Sequence, residues 1–212
     1  MCRAKAVLAV VVAALLIVAG ACQRNEAQPP PPVTSESPAT APPTTRVVGP
    51  LNEADAQALA TMNDRLKDYL EVHEKVEGTL PKLPDEATPQ QIDKNQRMFE
   101  ERIREARKTA KQGDIFTAQA QPVIKRLLAA VFAGADGKQL KASIMDENPT
   151  GISIAVNGRY PDTVPISTVP PEVLQTLPKL TEDMEYRFVG DNLILLDAHA
   201  HIIADFIPNA IP

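Results

Sequence analysis

Tryptophan is absent from the 212 residues, and only eight are aromatic, none of them before Tyr69. Cores draw much of their buried area from aromatic side chains, so the first quarter of the chain is a poor candidate for packed protein. Cysteine is almost as scarce: Cys2 and Cys22 are the only two. Beyond residue 22 there is no thiol for a disulfide, a thiolate metal site or a cysteine nucleophile. Basic charge is limited too, since 22 Lys and Arg stand against 27 Asp and Glu, for a net charge of -5. Nucleic-acid binding needs a basic stripe to neutralise phosphates, so no nucleic acid partner is expected. Catalytic signatures are equally thin. No Gly-x-Ser-x-Gly elbow occurs. Gly134-Ala135-Asp136-Gly137-Lys138 has its glycines too close together for a phosphate loop, with Gln139 where Ser or Thr should bind magnesium. Neither an enzymatic activity nor a cofactor is expected.

The one long uncharged run lies at the start. Arg3 and Lys5 precede it, and residues 6–22 carry no charge. At 17 residues it falls short of the roughly 20 that span a bilayer. It ends in Ala19-Gly20-Ala21-Cys22, small residues of the kind a signal peptidase accepts. These residues resemble the lipobox of bacterial lipoproteins, with Ala19 standing where Leu is commoner. The resemblance implies cleavage after residue 21 and lipid attachment to Cys22, with the membrane as partner through that lipid. Gln23, rather than Asp, follows the cysteine; by the same resemblance this favours the outer membrane, facing the periplasm. Residues 22–50 then read as a lipidated cysteine and a tether. Eight prolines in 23–50, among Ser, Thr, Ala and Gln, cannot bury enough apolar surface to offset chain entropy.

A helical region is expected over residues 51–149. Leu59, Met62, Leu66, Tyr69, His73, Val76 and Leu80 step by alternating threes and fours, the seam of an amphipathic helix that Gly78 and Pro81 stop. Thr88-Pro89-Gln90-Gln91 reads as a capping box opening a second helix. That helix should bury Ile92, Phe99, Ile103, Ala106 and Ala110, while Asp93–Arg97 and Glu100–Arg104 form charged pairs on its outer face. Two such seams suggest an antiparallel hairpin in which Leu66 and Tyr69 face Phe99 and Ile103. They also leave open a coiled-coil arm that binds a protein partner or a second copy. Asp114 is expected to cap a third helix, with a kink or late start at Pro122, and residues 138–146 a short fourth.

From residue 150 to 212 the period changes to two. Ile152, Ile154 and Val156 alternate ahead of Asn157-Gly158, the signature of a hairpin turn. A short helical piece follows Pro170-Pro171. Residues 186–189, 193–196 and 202–207 read as three more strands. The expected class is α+β: a helical hairpin and further helices, then a small antiparallel sheet packed on them.

Gln112-Gly113-Asp114-Ile115-Phe116-Thr117, Val156-Asn157-Gly158-Arg159-Tyr160-Pro161 and Glu185-Tyr186-Arg187-Phe188-Val189-Gly190 occur together with a terminal Ile203-Ala204-Asp205-Phe206-Ile207-Pro208. As a set they resemble an uncharacterised family of secreted or lipid-anchored bacterial envelope proteins of the acidobacterial type. The last hairpin is also similar to those of RcnB-type periplasmic proteins, which are linked to nickel and cobalt homeostasis. Neither resemblance supplies a catalytic residue. The expected function is a non-enzymatic, lipid-anchored envelope protein that serves contact or organisation.

The alternative is a periplasmic divalent-metal module. In Asp197-Ala198-His199-Ala200-His201, an extended strand would put His199 and His201 on one face, with Asp197 adding an oxygen ligand. The competing expectation is a turn that merely exposes both histidines. His73-Glu74-Lys75-Val76-Glu77 begins like a zincin helix but has Glu77 in place of the second histidine, and His73 reads as a half-buried seam residue.

Overall fold

The computed structural model describes residues 51–146, 148, 151–164 and 168–212. Cys22 and the Pro-rich stretch lie outside them. The described elements are helices α1 (Glu53–Glu77), α2 (Pro89–Ala106), α3 (Ala120–Phe132), α4 (Gly137–Asp146) and α5 (Pro171–Leu174), then strands β1 (Met184–Val189), β2 (Asn192–Asp197) and β3 (Ile202–Ile207). The class is α+β, with an antiparallel sheet in the order β1-β2-β3. Among the described residues no helix is long and apolar enough to cross a membrane.

α1 starts where the Asn52 side chain accepts the Asp55 amide at 2.8 Å. Glu53 and Asp55 in the first turn and Lys75 in the last complement its dipole. Its seam is spent inside the chain. Met62, Leu66 and Tyr69 join Phe116, Ile124 and Leu128 from the helical side and Phe188, Leu193 and Leu195 from the sheet in the main core. α2 opens with both halves of its capping box, the Thr88 amide on Gln91 Oε1 at 2.8 Å and the Gln91 amide on Thr88 Oγ1 at 3.3 Å. Asn95 reaches Pro81, Phe99 meets His73, and Arg107 lies over Tyr69, so α2 runs antiparallel to α1.

The hairpin packs differently from the expected one. Phe99 and Ile103 do not face Leu66; they cluster with Val76, Leu80, Ala200 and Ile202, at the far end of α1 and the β2–β3 turn. The buried stripe of α2 narrows to Phe99, Glu100 and Ile103, leaving Ile92 50% exposed and Ala106 exposed. Glu100 pairs with Arg104 at 2.5 Å, as its spacing predicts, but it is buried, because it also pairs with Arg159 from the next layer. Asp114 caps nothing in α3; its carboxylate accepts the Lys111 amide at 2.9 Å. α3 takes the late start, with Pro122 in its first turn, where no amide partner is required.

The sheet is covered on both faces. A bulge makes this possible: Leu195 pairs with Asp205 and Leu196 with Ile203, so Ala204 is an extra residue on β3. In regular pleating Ile203 and Ile207 would share a face. Across the bulge they part. Ala204 and Ile207 enter the main core, whereas Ile203 joins Tyr160, Ile194 and Leu196 under Ile152, Ile154 and Val164. The hairpin expected at 152–160 does not form. Asn157 adopts the positive φ of 61°, yet its turn delivers the chain to β3. The Asn157 amide donates to Ile203 O, Ile203 to Gly158 O, and Tyr160 to His201 O. Ile152 and Ile154 alternate in burial without strand pairing, because they are laid on the sheet's face rather than added to its edge.

Leu66→Ala should cost about 2–5 kcal/mol, the range for a buried leucine, and Ile92→Ala no more than about 0.5 kcal/mol. Denaturant unfolding at two protein concentrations checks this. The loss should be concentration-independent, since Leu66 packs within its own chain.

Candidate functional site

Two carboxylates of the terminal sheet, Asp197 and Asp205, are fully buried. Asp205 is a structural clamp. Its oxygens accept the amides of Gly113 (2.9 Å), Ile115 (2.8 Å) and Phe116 (2.8 Å), and of Phe206 beside it. Those amides belong to an irregular segment between α2 and α3 that has no ladder to join, and Gly113 bends into it at φ +93. Burial raises the Asp205 pKa, and the four amide bonds hold it down against that pull.

Asp197 closes β2 and carries the more unusual set of partners. Tyr69 Oη donates to its Oδ2 at 2.5 Å, His73 Nδ1 lies 2.7 Å from the same oxygen, and the Ala200 amide donates to Oδ1 at 2.7 Å. A carboxylate only accepts, so His73 Nδ1 carries the proton in this bond. The neutral imidazole then presents a bare Nε2. That atom is buried and has no hydrogen-bond partner; its neighbour, Glu77 Oε2, is 3.9 Å away and is itself an acceptor. Burial works against a charged His73, but the bond to Asp197 and the charges of Asp197, Asp183 and Glu77 outweigh it and raise its pKa.

The third member comes from the β2–β3 turn. His199 Nδ1 lies 3.2 Å from Glu77 Oε1, and its ring sits 5.9 Å from that of His73. Phe99 presents its ring to both imidazoles at 4.9 Å with near-perpendicular planes. One ligating atom from each of His73, Glu77 and His199 falls within 4.8 Å of the others. Two imidazoles and a carboxylate so grouped can hold a divalent cation.

The expected His199, His201 and Asp197 set is not what the chain assembles. Residues 198–201 are a turn, not extended strand, and His201 takes φ 58 within it. The same-face rule therefore does not apply. His201 points to the other layer, stacked near Tyr160 at 6.1 Å with Nδ1 3.1 Å from Asp162. Asp197 is occupied behind His73 rather than beside His199. Sequence spacing does put His73 and Glu77 on one face of α1, but the third side chain lies 122 residues further on, and nothing local links it to them.

On the far side of Tyr69, the Arg107 guanidinium lies 4.6 Å from the ring centroid and bonds Asn157 Oδ1 and the bulge carbonyl of Ala204. Beyond it opens a cleft of about 500 Å³ bounded by Arg65, Asp68, Val72 and Asp114. Burial lowers the Arg107 pKa and raises that of Tyr69, where the Asp197 charge adds to the effect.

No protein family, curated protein or solved structure matches this chain.

The three tyrosines, Tyr69, Tyr160 and Tyr186, all have pKa values raised above 10.0, burial being the first cause in each. Once unfolded they ionise near 10, so stability is expected to fall as pH rises beyond that value. The tyrosinate absorbance at 295 nm should rise at higher pH in the folded protein than in the chain unfolded by denaturant. A folded-state titration that coincides with that of the unfolded chain would contradict the burial.

Proposed function

We propose that this chain is a lipid-anchored protein of the bacterial cell envelope, held by Cys22 on the periplasmic face of the outer membrane. Its folded part is a binding module rather than an enzyme. The observation that carries this reading is the start of the chain: Arg3 and Lys5, the uncharged residues 6–22, and Ala19-Gly20-Ala21 directly before Cys22. The resemblance of residues 112–117, 156–161, 185–190 and 203–208 to secreted or lipid-anchored envelope proteins is in keeping with the envelope, though not by itself with the lipid. The Pro-rich composition of 23–50 suits a spacer between lipid and domain, extending by about 3.1 Å per residue where polyproline II forms.

The use of the buried carboxylates favours binding over acid–base chemistry. Asp205 is taken up by backbone amides, Glu100 by Arg104 and Arg159, and Asp197 by Tyr69, His73 and Ala200. Each holds two segments of the fold together. The α1 seam is likewise engaged within the chain, so contact with a protein partner falls to the outer faces of the helices.

Expression of Cys22→Ser in a bacterial host tests the anchor. The variant should lose labelling by a fatty-acid analogue and accumulate as unprocessed precursor. Normal processing and labelling of Cys22→Ser would refute the reading.

A further inference from the structure

We propose that His73, Glu77 and His199 form a binding site for one divalent transition-metal ion of the zinc, cobalt, nickel or copper class, with Asp197 as the residue that positions His73. The site is independent of the lipid anchor and stands or falls without it.

The strongest observation is the state of His73. Its side chain is 1% exposed, and Nε2 has no hydrogen-bond partner. A buried polar atom without a partner is uncommon and needs a physical reason. Here Asp197 has claimed the Nδ1 proton, so the remaining lone pair is directed toward the Glu77 carboxylate, another acceptor. Two acceptors facing each other across 3.9 Å are held together by a cation between them or by a proton on Nε2. His199 Nδ1, 3.2 Å from the other Glu77 oxygen, adds a third donor on the same side. A metal with bonds of about 2.0–2.2 Å to nitrogen and oxygen would draw these atoms inward. Glu77 and His199 have that freedom, being 45% and 46% exposed, while His73 is fixed.

The donor set selects the class of ion. Two imidazoles and one carboxylate suit zinc and its neighbours in the first transition row, whereas calcium and magnesium take oxygen ligands. The pattern behind the ligands agrees. A ligating histidine commonly gives its second N–H to a carboxylate, which fixes tautomer and ring orientation; Asp197 does this for His73. Tyr69 and the Ala200 amide fix Asp197 in turn. Phe99 walls the site on its protein side, and Gln96 Nε2 reaches the His199 carbonyl at 3.4 Å. Three protein ligands with an exposed outer side leave a coordination position for water or for a ligand from outside, the arrangement of an open rather than a sealed site.

The test is isothermal calorimetry on the full-length chain in mild detergent, with zinc, cobalt, nickel and copper chlorides in turn, and with calcium and magnesium as controls. One equivalent of at least one transition ion should bind, with no heat from the controls. His199→Ala and Glu77→Gln alter half-exposed side chains, so they should keep the metal-free melting curve and lose at least tenfold in affinity, while His201→Ala should bind as wild type. Cobalt supplies a second readout in its visible d–d bands. These should be present in wild type and His201→Ala, and lost in His199→Ala. Asp197→Asn, if folded, should weaken cobalt binding by about 10–100-fold and shift those bands; the two exposed variants decide the matter if it does not fold. Absence of heat with all four ions overturns the proposal. So does binding to His199→Ala and Glu77→Gln at wild-type affinity.

Discussion

The bond network around Asp197 is the constraint on which the arrangement of this domain depends. A fully buried carboxylate is costly unless its lone pairs are met, and the groups that meet it come from distant parts of the chain. Tyr69 and His73 bring α1; Ala200 brings the turn that ends β2. Satisfying one charge therefore fixes the height of α1 against the sheet, the conformation of the 198–201 turn, and the direction in which His199 leaves it. Phe99 and Ile103 of α2 pack into the corner so formed, against Ala200 and Ile202. Asp205 performs the parallel task on β3. It gathers the amides of residues 113, 115 and 116, which no regular element could satisfy, and the bulge at Ala204 beside it gives the Arg107 guanidinium a carbonyl to bond. The 198–201 turn and the 113–116 segment are thus each organised by a carboxylate from the same sheet.

How much of this was legible in the sequence depends on whether the signal was local. The α1 seam, the Thr88–Gln91 capping box, the late start forced by Pro122 and the three terminal strands are written in neighbouring residues, and all take their expected form. Gly190, with its positive φ of 56°, makes the tight β1–β2 turn. Three expectations failed for a shared reason. Glu100 looked like a surface partner of Arg104 because Arg159 is 59 residues away. Ile92 and Ala106 looked buried because periodicity cannot say how wide a stripe the neighbours will cover. Asn157 took the positive φ expected of it, but the turn closes from Ala155 to Gly158 around Val156 and Asn157, and the strand it met was β3 rather than its own precursor. Local chemistry fixed the conformation in each case, and tertiary contact fixed the partner.

The same division explains the candidate site. His-x-His at 199 and 201 was visible as a motif, and its geometric meaning rested on an extended backbone. The carboxylate of Asp197 draws the Ala200 amide back on itself and converts that stretch to a turn, which sends the two rings to different layers. His73 and Glu77 were visible as a helical pair and looked like seam and surface. What gives them chemical meaning is the proton taken from Nδ1 by Asp197, together with an imidazole brought over from the far end of the chain. The half-exposed Glu77 and His199 face outward from the fixed His73, so the proposed metal would keep its open position on the solvent side.

The tautomer of His73 is the most direct test of this account. A long-range proton–nitrogen correlation spectrum of the chelated protein, recorded at a pH above the His73 transition, should show hydrogen on Nδ1 and a bare Nε2. That is opposite to the tautomer which free histidine prefers. Hydrogen on Nε2, with Nδ1 unprotonated, would mean that Asp197 does not hold the ring, and would contradict the account at its base.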